Sequence, residues 1–227
     1  MSHMLKIANS IYREKGLRGL ASSVAYRLDP RNPYQTKLAA SMDVRWRMIE
    51  SVIPPDSHSL LDIGSNLGDF TARAAGSGLW SIGIEKSRRL TAKAQRRHEG
   101  TPRCAFMWSD LRPADCASLP DVDVTLILSV HHHWYQAYGA DAANRMLQDI
   151  VSGTRRVAVF EGPSRTHRYG DRRPEFIDND ETSVTAYYDT LLQRVLGARV
   201  ARVLPLGKTA CVGEREPYRW MYALIRP

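Results

Sequence analysis

Short apolar runs and amphipathic stretches take turns along most of this chain. Leu60, Leu61 and Ile63 make a buried run that stops at Gly64, and Trp80-Ser81-Ile82-Gly83-Ile84 makes the next, ending in Glu85. Between them, Gly64-Ser65-Asn66-Leu67-Gly68 reads as a turn that enters a helix from about Asp69 to Gly76. Downstream, the alternation predicts helices over 87–98, 141–151 and 182–196. It predicts strands over 104–108, 121–129 and 156–160, and a closing pair over 199–204 and 218–225. Strands alternating with helices in this way argue for an α/β domain around a mostly parallel sheet. Gly207-Lys208-Thr209 lacks the upstream glycine of a phosphate-binding loop and reads as a turn between the last two strands.

Ahead of the first strand the pattern changes. Leu5, Ala8, Ile11 and Tyr12 share one helical face, and Leu17, Leu20, Val24 and Leu28 repeat that spacing, with Lys6, Arg13, Lys15, Arg18 and Arg27 between them. This predicts two short basic amphipathic helices, suited to packing as a lid or to touching a membrane surface. Asp29-Pro30-Arg31-Asn32-Pro33 breaks the run. A helix follows over 34–52, with Trp46, Met48 and Ile49 among its apolar positions, and Pro54-Pro55 stops it. Residues 1–55 are therefore expected to form a helical extension or lid, and residues 56–227 the main domain.

The chemistry gathers around the first strand. Glycines let a backbone approach a ligand closely, and an acid about twenty residues on can accept hydrogen bonds from ribose hydroxyls. Gly64, Gly68 and Glu85 fit that description, with Asn66 where the middle glycine of the dinucleotide fingerprint would fall. With Asp62 two residues before Gly64, the run Asp-x-Gly-x-x-x-Gly followed by strand-Glu resembles motifs I and II of the class I S-adenosylmethionine (SAM)-dependent methyltransferases. The commoner pattern there is Asp/Glu-x-Gly-x-Gly-x-Gly, from which Asn66 departs. The resemblance covers about residues 58–227. It implies a Rossmann-like, seven-stranded, mostly parallel sheet with helices on both faces, and SAM as cofactor.

In that resemblance the turn, with Asp62, Gly64, Ser65, Asn66 and Gly68, cradles the methionine part of SAM, and Glu85 binds its ribose. Asp110, after the third strand, resembles the motif III acid that hydrogen-bonds the adenine amino group. Ser129, at the end of the fourth strand, joins the cofactor-binding set. Tyr34, Gln35 and Arg45 on the preceding helix are further cofactor-side candidates.

The fourth strand ends in Ser129-Val130-His131-His132-His133-Trp134. A hydroxyl is a poor nucleophile at neutral pH, and histidine's ordinary pKa of about 6.5 suits it to remove the proton. This run resembles the Ser-Val-Phe-His-His of several bacterial methyltransferases, including O-antigen chain-terminating ones that act on sugars or sugar phosphates. On that alignment His132 and His133 match the histidine pair, and His131 takes the aromatic's place. His132 is the first candidate base, His133 the second and His131 the third.

Residues 163–181 are polar, charged and punctuated, as substrate loops at a strand's carboxyl end often are. Trp134, Tyr135, Glu161, Arg165 and Tyr169 are the substrate-side candidates, because sugars need flat apolar faces and hydroxyl acceptors. His131, Glu161, Asp178 and Asp180 offer imidazole and oxygen ligands that suit Mg²⁺, so a metal is a further expectation.

Composition narrows the setting. The net charge of +8 admits nucleic acid, anionic lipid or a phosphorylated substrate. Three widely spaced cysteines, Cys104, Cys116 and Cys211, suggest neither zinc nor a disulfide framework and fit the cytoplasm. The leading reading is an O-methyltransferase acting on a saccharide or similar polyol, either a small molecule or an oligosaccharide. The alternatives are an RNA methyltransferase, possible at a 5′-phosphate, and a non-catalytic SAM-fold adaptor. No dedicated RNA-binding motif is present, so nucleic acid ranks lower. Peripheral membrane contact through the N-terminal helix and a homodimer both stand open.

Overall fold

The computed structural model describes residues 33–211 and 217–227, with side chains from residue 41 onward. The predicted helices over 5–28 and the side chains of Tyr34 and Gln35 lie outside the described residues. Packing divides the chain at Met42–Asp43, and residues 43–227 form one compact unit. The division falls inside the helix preceding the first strand. Trp46 and Ile49 are the reason: both are buried in the main unit.

The described elements are α1 (Pro33–Glu50), β1 (Ser59–Ile63), α2 (Asp69–Gly76), β2 (Trp80–Glu85), α3 (Arg88–Arg97) and β3 (Cys104–Trp108). They continue with β4 (Val122–Leu128), α4 (His131–Tyr138), α5 (Ala140–Ser152), β5 (Thr154–Pro163), α6 (Glu181–Leu196), β6 (Arg202–Ala210) and β7 (Tyr218–Ile225). The seven strands form one sheet in the order β3-β2-β1-β4-β5-β7-β6. β1 to β5 run parallel, and β7 is antiparallel to both β5 and β6.

Alternation along β1 shows how helices cover both faces. Asp62 points to α2, where it accepts a hydrogen bond from Thr71 Oγ1 at 2.7 Å. Its neighbours Leu61 and Ile63 point the other way, into the core cluster built with Met146, Leu147 and Ile150 of α5. Those three, with Ala143 and Val151, lie at helical spacing and give α5 one apolar face. β4 is buried along its whole length, as the central parallel strand of such a sheet must be. The strand order reverses between β1 and β4, so a crevice opens beyond their carboxyl ends.

Two elements differ from the sequence pattern. Gly207-Lys208-Thr209 is strand, not turn: it belongs to β6 and pairs with Met221, Trp220 and Arg219 of β7. A bulge between Pro205 and Gly207, with Gly207 at φ +118°, absorbs the glycine without ending the ladder. The histidine run begins a helix, α4, that the pattern did not predict. No described helix is long and apolar enough to cross a membrane.

Candidate active site

The turn after β1 is shaped by backbone that side chains resist. Gly64 and Gly68 both have positive φ, +76° and +79°. A Cβ on Gly64 would lie 2.6 Å from Val130 Cγ2, and one on Gly68 would lie 2.3 Å from the Phe106 ring. Asn66, between them, also sits in the left-handed region at φ +54°. Asparagine is one of the few side-chain-bearing residues that tolerate it, so Asn66 can stand at this point of the turn. The backbone N–H groups of Gly64 and Ser65 both donate to the Ile84 carbonyl, at 2.8 and 3.0 Å, and tie the turn to β2.

Glu85, at the carboxyl end of β2, closes the other side. One carboxylate oxygen accepts from Asn66 N–H at 3.1 Å and the other from Ser87 N–H at 2.8 Å. Each oxygen keeps a second lone pair, so the carboxylate can also accept from a ligand hydroxyl. Asp62 lies beneath the turn, fully buried. Burial pushes its carboxyl up to about 6, against the opposing pull of the Thr71 hydrogen bond and the Arg45 guanidinium. Asp110 is exposed beyond the end of β3, on the same side of the sheet edge as Glu85's end of β2. The two glycines thus let the turn pack directly against Val130 and Phe106, with the Glu85 carboxylate bordering it on the next strand.

Across the crevice, β4 and β5 end in a network of charged groups. Glu161 is completely buried, and Arg45 from α1 holds both its oxygens, Nε to Oε2 at 2.8 Å and Nη2 to Oε1 at 3.0 Å. Ser129 Oγ donates to Glu161 Oε1, and Arg219 of β7 donates to Ser129 Oγ. Arg219 also faces Glu161 Oε1 at 3.8 Å. Ser129 has φ +59°, a conformation that favours glycine, and this network holds it there. The Arg45 guanidinium lies 4.8 Å over the Phe70 ring of α2. One side chain thus links α1, the helix after the glycine turn and the end of β5.

Helix α4 starts directly beyond Ser129. Its N-cap, Val130, is the residue against Gly64, so the histidines begin beside the cradle. His131 and His132 are buried and His133 is exposed. The His131 ring meets Asn144 Oδ1 through Nε2 at 3.2 Å, and burial lowers its pKa to about 4. His132 is held well below its ordinary value, first by burial and then by the positive fields of His133, Arg219 and Arg168. Its Nδ1 is buried without a hydrogen-bond partner. The His132 and His133 rings lie 4.2 Å apart.

Several predicted site residues take other roles. Tyr169 offers no ring face to a sugar: it is fully buried among His131, His132, Tyr135 and Tyr187, and its hydroxyl pairs with that of Tyr188 at 3.0 Å. Trp134 is a core residue, 6% exposed, whereas Tyr135 is half-buried. Arg165 faces Asp178 at 3.6 Å.

The four proposed metal ligands do not converge. His131 faces Asn144, Glu161 faces two arginines, Asp178 accepts from Thr166 N–H and hydroxyl, and Asp180 caps α6 through Ser183 N–H at 2.7 Å. Among the described residues, no group of three or more His, Cys, Asp or Glu side chains is placed to share a metal ion. Mg²⁺ therefore loses its proposed ligand set, because local hydrogen bonds already use those oxygens.

Sequence reading missed Arg219 and Asn144 and gave Arg45 only a minor place. Arg219 did leave a signal, as an isolated charge inside the apolar run of β7.

No protein-family profile matches the chain, and no curated protein matches it. Its likeness is to solved structures. The bifunctional kinase-methyltransferase WbdD aligns with TM-score 0.58 at 20% identity, over 87% of this chain and 40% of that one. Magnesium protoporphyrin IX methyltransferase (ChlM) from Synechocystis PCC 6803, with bound SAM, aligns with TM-score 0.53 at 19% identity, over 86% and 79%. The N-terminal domain of EvdMO1, with SAH bound, aligns with TM-score 0.56 at 15% identity, over 81% and 80%. The chain thus spans less than half the length of WbdD. At these identities the likeness establishes architecture, and the chain has the Rossmann-like fold of the SAM-dependent methyltransferases.

Proposed function

We propose that this protein is a SAM-dependent O-methyltransferase that methylates a hydroxyl of a saccharide or similar polyol, with His132 as general base. The observation that carries the reading is the His132 imidazole: buried among positive groups that hold its pKa low, with an Nδ1 that has no hydrogen-bond partner, on a helix whose cap touches the first glycine of the cradle. When bound, SAM supplies a methyl group already activated by its sulfonium. The turn from Gly64 to Gly68 would hold its methionine end, Glu85 its ribose hydroxyls and Asp110 its adenine amino group.

A neutral imidazole can take the proton of an acceptor hydroxyl as that oxygen becomes nucleophilic, which is worth about 10²–10⁴-fold in rate. Burial makes the resulting imidazolium a ready proton donor, and the exposed His133 ring, 4.2 Å away, is the next acceptor on the way to water. Arg219 lies near His132 and donates to Ser129, which ties the start of α4 to β7. Tyr135 and Arg165 remain the substrate-side candidates from sequence. The similarly folded WbdD joins a methyltransferase to a kinase, and the His132-His133 pair is where this sequence resembles sugar-directed enzymes.

Transfer of labelled methyl from SAM to a panel of mono- and oligosaccharides, with single-stranded RNA as comparison, tests the assignment. Label on a saccharide oxygen is expected. Label on RNA alone would overturn the saccharide reading while leaving the cofactor in place.

A further inference from the structure

One corner of the sheet is left uncovered by the described helices. Strand pairing places Ser59, Trp80 and, one step further, Leu61, Ile82 and Ala105, then Ile63, Ile84 and Met107, on a single face. Toward the middle of the sheet α5 covers that face, with Leu61 and Ile63 in its core cluster. Toward the β3 edge no helix among the described residues does, because the chain between β3 and β4 contains only a single 3₁₀ turn, Cys116–Ser118. Trp80 is 65% exposed, Met107 47% and Ile82 38%, and Trp108 at the end of β3 is 47% exposed. Contiguous large apolar side chains in water mark an interaction surface.

The charge beside this edge says what kind. Residues 86–103 carry Lys86, Arg88, Arg89, Lys93, Arg96, Arg97 and Arg103 against one acid, Glu99, so six of the chain's eight net positive charges fall in eighteen residues. All seven basic side chains are exposed. They lie on α3, which runs beside β3 on its other face, and in the turns at its ends. Two touch the exposed tryptophans directly: the Arg88 guanidinium is 4.0 Å over the Trp108 ring, and that of Arg103 is 5.8 Å from Trp80.

We propose that the β2–β3 edge seats the protein on an anionic membrane surface, with Trp80, Ile82 and Met107 at the headgroup boundary and the basic side chains of 86–103 against lipid phosphate. Tryptophan beside arginine is the composition of interfacial contacts, and polybasic surfaces concentrate on anionic leaflets. A second copy of the chain would bring like charge against like charge. Single-stranded nucleic acid would use the phosphate contacts but not Ile82 and Met107, and Arg88 already covers one face of Trp108. The proposal is independent of which hydroxyl the enzyme methylates.

Co-sedimentation of the full chain with phosphatidylcholine vesicles, with and without phosphatidylserine, tests it. Binding is expected only to the phosphatidylserine vesicles, weakening as salt is raised. Trp80→Ser/Met107→Ser and, separately, Arg89→Glu/Arg96→Glu should each lower the partition coefficient by about tenfold or more. Unchanged SAM titration would show both variants folded. Absence of vesicle binding, full binding by the Trp80→Ser/Met107→Ser variant, or retention by single-stranded RNA in place of vesicles would overturn the proposal.

Discussion

His132→Asn is expected to lower turnover about 10²–10⁴-fold while leaving SAM affinity unchanged. Asparagine keeps a polar side chain at the start of α4 but cannot accept a proton, so the loss reads the base and not the fold. The wild-type pH profile carries the second half of the test. His132 must be neutral to act, and burial together with His131, His133, Arg168 and Arg219 holds its pKa well below about 6.5. Turnover should therefore stay on its plateau as pH falls through 6.5 and decline only further into acid. A decline centred near 6.5, or undiminished turnover in His132→Asn, would remove His132 from the role.

Glu161→Ala is expected to cost about 3–5 kcal/mol of stability, the range seen when one member of a buried ion pair is removed. The carboxylate is completely buried and receives two hydrogen bonds from Arg45, one from Ser129 and the charge of Arg219. Its removal also frees Ser129 from the bond that helps hold it at φ +59°. For a chain of this size the expected fall in Tm is about 6–20 °C. Denaturant unfolding of the two proteins measures it. A loss below about 1 kcal/mol would show that the network is ornamental to the fold. SAM affinity is expected to fall as well, because α1 reaches the site through Arg45.

Much of the frame was legible because apolar periodicity reports burial, and burial is what the sheet imposes on its strands. The glycine turn, Glu85 and the strand endings were readable for the same reason: positive φ and close approach leave few choices of residue. The helix of His131, His132 and His133 was not legible, since three histidines carry no apolar period. Tyr169 misled because an aromatic in a charged loop reads as exposed, while its hydroxyl partner Tyr188 lies nineteen residues away. Asp178 and Asp180 were read as metal ligands because sequence cannot show that Thr166 and Ser183 already occupy them. Arg45 and Glu161 are 116 residues apart, and only the fold brings them together.

The claim on which the rest depends is that the cradle between Gly64 and Glu85 binds SAM. Calorimetric titration of the full chain with SAM and with its demethylated product measures it directly. Binding of both with one site per chain in the low-micromolar range is expected, weakened about tenfold or more in Glu85→Ala, which removes the acceptor proposed for the ribose hydroxyls. No heat from either ligand, in a protein shown by its unfolding transition to be folded, would contradict the account and leave a methyltransferase fold without its cofactor.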